Sequence, residues 1–212
     1  MAIDSIPSTR KRDAVRSRAA ILSAAEQLFA DRGYEATTMA EIASASGLSV
    51  GTPAYFFGSK EELYRAVLGR SFAETASLIR SIRLGSGDPA AKITYAVQSY
   101  MAFLTQRPHF VRLVVRECLD GGRFLTGLAE HLAALAETLG GLATENARGT
   151  FRSDIDLRHL LLSAISLCWF PLIAVPLTAD LGLTPNTAEF VRSRQEQIAT
   201  LILHGSLSET VR

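Results

Sequence analysis

Past Arg83 the apolar residues recur three and four apart in one segment after another, and no alternating run is long enough for a strand. The pattern predicts an all-α chain. Asp88 and Pro89 cap and open a helix to about Gln106, and Arg107-Pro108 closes it and starts the next, His109 to Leu119. Gly121-Gly122 is a break, Arg123 to Asn146 reads as helix, and Gly149 to Asp154 reads as a loop. Asp156 opens the most apolar helix of the chain, and a last helix is expected from about Asn186 to His204.

The first third is written in short pieces with explicit starts and stops. Thr38 followed by Glu41 is a capping box, which predicts a helix from Met39. Ile42 and Ala43 give that helix its buried side, and Gly47 stands where the chain must turn through a left-handed conformation. Leu48 fills the corner, and Ser49 caps a second short helix, unless Thr52 does so with Pro53 at the first helical position. Ser59 with Glu62 forms another capping box, opening a helix from Lys60 to about Leu84. Two short helices broken by one glycine are the signature of a helix-turn-helix, whose second helix enters the major groove of DNA.

Taken together, Phe29, Gly33, Tyr34, Thr37-Thr38-Met39, Ile42-Ala43, Gly47-Leu48-Ser49, Gly51-Thr52, Phe57 and Ser59 through Tyr64 resemble the TetR-like (TetR/AcrR) transcriptional regulators. The match spans about Val15 to Arg70. The resemblance implies a DNA-binding domain of three N-terminal helices, followed by helices that bind a small effector and form a homodimer. It divides the chain into a disordered basic arm (1–12), a helix-turn-helix domain (13–60) with a linking helix (59–84), and an effector-binding and dimerisation domain (85–212). Where the family commonly has Leu-Tyr, this chain has Pro53-Ala54, so a phosphate contact often made by the family's tyrosine falls to Tyr55.

Ser49 to Gly58 carries no charge, so arginine or lysine forks to guanine are not available from this helix. Its means are hydroxyls, backbone and aromatic faces. The expected DNA-binding residues are Thr38, Ser49, Val50, Gly51, Thr52, Pro53, Tyr55 and Phe56, with Lys60 at a helix N-terminus reaching a phosphate. Arg10, Lys11, Arg12, Arg16 and Arg18 form a basic run against the single acid Asp13; Arg12 and Arg16 are the expected phosphate contacts that give affinity without specificity.

Composition permits this reading without adding to it. The chain has 212 residues, 48% of them apolar, and a formal net charge of +1. Cys118 and Cys168 lie in apolar stretches and are expected as buried thiols in a reducing cytoplasm. Leu160 to Ala179 is uncharged and long enough to span a bilayer, but Pro171 and Pro176 interrupt it and its flanks lack lysine and arginine asymmetry. A helix apolar on all sides and set in a protein is buried on all sides. In a TetR-like protein such a helix packs against both its own domain and the partner subunit, so the stripe of Phe190, Val191, Arg194, Ile198, Leu201 and Ile202 is expected to meet a partner copy, together with Leu161, Ile165 and Trp169; the alternative is that both helices cap their own core.

The effector pocket is expected on the middle helices, with Tyr100, Phe103, His109, Phe110, Arg112, Arg116, Phe124, His131 and Trp169 as candidates, beside Cys168 and Phe170. An inward Arg112 or Arg116 favours an acidic ligand. No cofactor or metal is expected: among the four histidines only Asp156-Leu157-Arg158-His159 nears the paired spacing of a di-metal bundle, and once. The expected partners are a double-stranded, palindromic DNA operator, a second copy of the chain and an unidentified small molecule, with no membrane. A constitutive DNA-binding or protein-binding helical module is the alternative.

Overall fold

Thr38 lies in extended backbone and its hydroxyl accepts the Glu41 N–H at 3.2 Å, while the Glu41 carboxylate takes the Thr38 N–H at 2.9 Å. Local chemistry of this kind opens the helices that begin at Met39, Lys60, Pro89, Leu157 and Ala188 in the computed structural model. The structure describes residues 6–82, 88–124, 129–185 and 187–208, with side chains excepted at 6–10 and 129–132. Among the described residues ten helices follow in order: α1 Ile6–Arg32, α2 Met39–Ala45, α3 Thr52–Phe57, α4 Lys60–Ser81, α5 Pro89–Thr105, α6 Pro108–Leu119, α7 Ala129–Asn146, α8 Leu157–Ile173, α9 Val175–Asp180 and α10 Ala188–Ser206. There is no strand among the described residues; one isolated antiparallel bridge joins Phe151 and Leu207.

Contacts divide the chain into a first unit, residues 1–71 and 112–127, and a second, 72–111 and 128–212. The first unit packs α1, α2 and α3 with the N-terminal half of α4. Ile21, Phe29, Ile42, Ala43, Leu63 and Val67 are fully buried there. Gly47 turns the chain at φ 70° and Gly58 does so at φ 76°, where a Cβ would meet the Glu62 carboxylate at 2.3 Å. That carboxylate is committed to the second capping box, accepting from Ser59 N at 3.0 Å while Ser59 Oγ accepts from Glu62 N at 3.1 Å.

The second unit is built around α5, which packs against α8 and α10. Asp88 caps α5 and Asp156 caps α8 through their carboxylates, as their positions in the sequence predict. The long uncharged stretch is not one helix. Pro171 lies inside α8, the chain leaves helical geometry at Ala174 and restarts in α9 with Pro176 in its first turn. No helix among the described residues is long and apolar enough to cross a membrane.

Several expectations differ from these elements. The helix α1 already includes Ile6, so residues 6–12 of the expected disordered arm are helical, which places Arg12 and Arg16 one turn apart on one helix. The second half of α6 and the turn after it, 112–127, group with the first unit and not with the effector domain. The helix expected from Arg123 does not begin there, since Arg123 and Phe124 lie in a turn and α7 is Ala129–Asn146; the expected end of α4 at Leu84 and the expected start of α10 at Asn186 lie outside the described residues, as do residues 1–5.

Candidate nucleic-acid interface and effector cavity

At the head of α3 the sequence turns through Ser49 to Thr52, with Thr52 N donating to Ser49 O at 2.9 Å and the two hydroxyls 2.7 Å apart. Gly51 is the N-cap and makes no side-chain bond, so neither Ser49 nor Thr52 serves as the cap. Pro53 in the first turn forgoes no intrahelical bond, and α3 is left with six residues. This short helix has two faces. Pro53 and Phe57 are buried, whereas Val50 is 68% and Tyr55 84% exposed. Pro53 therefore faces the core and not a groove. Phe56 is half-buried with its ring edge-on to Tyr55, and Gly51 and Ser49 are exposed.

The other residues expected at DNA hold different positions. Arg12 and Arg16 are exposed on α1, the Arg10 side chain lies outside the described residues, and Arg18 covers the Phe57 ring at 4.8 Å. Thr38 is exposed at the N-terminus of α2 with its hydroxyl engaged by Glu41. Lys60 is more committed than its position suggests. Its ammonium donates to the carbonyls of Tyr34 and Glu35 at 3.0 and 3.4 Å and sits over the Tyr34 ring, which leaves one of three N–H groups for a phosphate.

Arg112, Arg116 and Phe124, all expected at the effector, belong to the first unit. Arg116 donates to the carbonyls of Ala30 and Asp31 at 2.9 and 3.0 Å, where the last carbonyls of α1 lack helical partners, and Arg112 pairs with the Asp31 carboxylate at 3.2 Å. Both arginines are engaged at the end of α1 and neither lines the cavity of the second unit, so neither is placed to meet an acidic ligand there. Phe124 is buried in an aromatic cluster with Tyr34 and Tyr64. Beside it lies a residue that sequence reasoning passed over: Glu117 is buried and accepts from Tyr64 Oη at 2.9 Å and from Phe124 N at 2.6 Å. Burial, and then this bond, raise the Tyr64 pKa. The signal was a glutamate at core spacing after Phe110 and Leu113. Cys118, one residue on and so about 100° round the helix, is exposed and not buried as expected.

The second unit contains a cavity of about 140 Å³. Its walls come from Ile79 of α4 and Ile82 just after it, from α5 (Ile93, Ala96, Val97, Tyr100), from α7, α8 and α10, and from Phe151. Of the named effector candidates only Tyr100 lines it, with Cys168. Trp169 adjoins it, donating from Nε1 to Tyr100 Oη at 2.7 Å. Burial raises the Tyr100 pKa and pushes the Cys168 thiol up to about 12. Phe103 and Phe110 stack edge-on in the same unit as Trp169 without lining the cavity, His109 is half-buried, and Phe170 is exposed. The His131 side chain lies outside the described residues.

Residues expected at a partner copy mostly face inward. Phe190, Ile198 and Ile202 are buried within their own unit, where α10 packs on α5, and Leu161 and Ile165 line the cavity. Trp169 and Arg194 are half-buried, and only Leu201 is exposed, at 57%. The exposed apolar face of α8 is instead Leu162, Phe170 and Ile173, each three or four residues, or two such steps, from the next.

Comparison with known proteins agrees with both halves of this description. The family model for "Bacterial regulatory proteins, tetR family" matches residues 21–67, and that for "Tetracyclin repressor-like, C-terminal domain" matches residues 89–202. The transcriptional repressor NicS of Pseudomonas putida is 29% identical over 76% of this chain and 78% of its own length. The regulator RutR of Escherichia coli is 27% identical over 92% of this chain and 93% of its own. Among solved structures, a TetR family transcription regulator from Marinobacter aquaeolei superposes with TM-score 0.71 at 19% identity, covering 94% of this chain and all of that one. FadR of Bacillus subtilis, solved in complex with stearoyl-CoA, superposes with TM-score 0.69 at 15% identity over 88% of this chain and 98% of its own. With a helix-turn-helix at its N-terminus and matches that together extend over most of its length, the chain belongs to the TetR family of bacterial transcriptional regulators.

Proposed function

We propose that this DNA-binding regulator is a cytoplasmic homodimer that represses from a palindromic operator and leaves it when a small molecule fills the cavity of the second unit. The observation that carries the DNA side is the exposure of Tyr55 on α3 and of Val50 in the turn before it, while Pro53 and Phe57 are buried and hold the helix to its core. An aromatic and an aliphatic side chain displayed to solvent beside the Ser49 and Thr52 hydroxyls suit a groove, where hydroxyls meet phosphates and Val50 meets a thymine methyl. Arg12 and Arg16 add phosphate affinity that carries no sequence information.

Release follows from linkage. An effector that binds one arrangement of the dimer more tightly than the operator-bound one weakens DNA binding by the same factor. The helices α4 and α6 each contribute residues to both units, so they are the elements through which an occupied cavity can bias the reading head. The dimer is assigned to the exposed apolar face of α8, with Leu201 of α10. The regulator acts by binding and not by catalysis.

Fluorescence anisotropy of a labelled operator, selected from genomic fragments by the purified protein, tests this. Tyr55→Ala is expected to weaken binding by at least tenfold with an unchanged melting temperature, because its side chain makes little contact with the fold. Unaltered affinity in that variant would sink the placement of α3. Titration with candidate metabolites is expected to release the operator; a complex that no small molecule releases marks a constitutive binder.

A further inference from the structure

The chemistry of the cavity narrows the effector. Its lining among the described residues contains no aspartate, glutamate, lysine, arginine or histidine. Three polar groups remain, and two of them are spent. The Thr138 hydroxyl donates back to Ala134 O at 2.9 Å within its own helix. The Cys168 thiol is buried and stays protonated, a weak donor at best. The third is Tyr100. Its oxygen accepts the Trp169 indole N–H at 2.7 Å, and its own O–H has no acceptor among the described residues.

A hydroxyl on a residue that lines an apolar cavity, with no acceptor for its proton among the described residues, is costly, and the cost is removed by a ligand oxygen that reaches it. Among the described residues no cation lines the cavity, and Arg194, the cation that acts on the Cys168 thiol, is committed through Nη2 to the Leu167 carbonyl, so a carboxylate or phosphate taken out of water there is disfavoured. The space, about 140 Å³, is close to the roughly 150 Å³ of a cavity known to hold one benzene molecule.

We propose that the effector is a neutral, mainly hydrocarbon molecule of about one six-membered ring, carrying a single carbonyl or ether oxygen that accepts the Tyr100 O–H. This rests on the cavity being the effector site. It also separates the chain from FadR of Bacillus subtilis, whose structure holds stearoyl-CoA, a ligand with a charged head.

Trp169 is the only tryptophan in the chain and its indole is bonded to Tyr100, so its fluorescence reads the site directly. The full-length protein is titrated with cyclohexanone, methylcyclohexane, cyclohexanecarboxylate and octanoyl coenzyme A at pH 7. Saturable binding is expected for cyclohexanone and methylcyclohexane, and at least tenfold weaker binding for the two anions. Tyr100→Phe is expected to lower cyclohexanone affinity by about three- to tenfold while methylcyclohexane affinity does not fall. Should that variant fail to fold, the infrared carbonyl band of cyclohexanone bound to the unaltered protein decides: it is expected below its position in a hydrocarbon solvent.

Absence of saturable cyclohexanone binding, anions binding as tightly as the ketone, equal losses for both neutral probes in Tyr100→Phe, or an unshifted carbonyl band would each overturn the assignment. Operator anisotropy on the same samples keeps the two readings apart. A ketone that binds without releasing DNA defeats the regulatory reading alone, and release by an anion that the neutral probes cannot match defeats the ligand class alone.

Discussion

Arg194 on α10 donates from Nη2 to the carbonyl oxygen of Leu167 on α8 at 3.0 Å. In an unbroken helix that oxygen would accept the N–H of residue 171, which here is proline and has none. The guanidinium supplies the donor that Pro171 lacks and ties α10 to α8 six residues before α8 ends at Ile173. The arrangement has a cost, since Arg194 Nε is buried without a partner among the described residues.

Removing the guanidinium should therefore expose an unpaired carbonyl. Arg194→Leu is expected to lower stability by about 1–3 kcal/mol in urea unfolding, with the helix content of the native state kept. Pro171→Ala restores an N–H at that position, so the double variant should recover a large part of the loss. An Arg194→Leu penalty that is the same with and without the Pro171→Ala change would show that the two residues are not coupled.

The Thr38 and Glu41 capping box gives a pH dependence of known sign. The Thr38 hydroxyl first, then its backbone N–H and the Arg32 guanidinium, hold the Glu41 carboxyl below its usual pKa. A carboxyl depressed on folding stabilises above its unfolded pKa of about 4.3, and that contribution is lost as pH falls through the folded value. Thr38→Val is expected to lower the melting temperature most near pH 7, and the gap to the unaltered protein should narrow towards about pH 3. Circular dichroism melts across that range check this; a gap constant with pH would remove Glu41 from the account.

What could be read from the sequence follows the range of the interactions involved. Thr38, Glu41, Gly47, Ser59 and Glu62 act within four residues of themselves, so the helix-turn-helix is written in local chemistry and the structure keeps it. The cavity was not legible, because Ile79, Ile93, Val97 and Leu160 are the residues of any core, and only three-dimensional packing decides whether they meet each other or surround space. The polar and aromatic residues Arg112, Arg116 and Phe124 stand out in the sequence but belong to the first unit. The partners of Arg116 lie 86 and 85 positions earlier, and Phe124 is held in the aromatic cluster. The α10 stripe was legible as a buried face, but periodicity cannot say whose surface buries it. Here α5 of the same chain does.

The two arginines one turn apart on α1 make a separate prediction. Arg12→Gln and Arg16→Gln together should weaken binding to operator and to unrelated duplex by similar factors, because phosphates carry no sequence. The slope of log affinity against log salt should flatten by about 0.9 for each phosphate that is no longer neutralised. Anisotropy titrations across a series of salt concentrations measure both quantities. A loss confined to the operator would move these residues from phosphates to bases.

The apolar faces of α8 and α10 can be told apart by what a charge does to each. Leu162 is 60% exposed, so Leu162→Asp costs the isolated fold little; if this face meets a second copy, two carboxylates related by the twofold axis would be buried against each other. Sedimentation is expected to show a folded monomer at micromolar concentration, with operator affinity reduced because one half-site can no longer help hold the other. Ile198 is fully buried under α5, so Ile198→Asp should unfold the second unit before any question of assembly arises. A Leu162→Asp protein that remains dimeric would place the interface elsewhere, with the exposed Phe170 and Ile173 as the next side chains to charge.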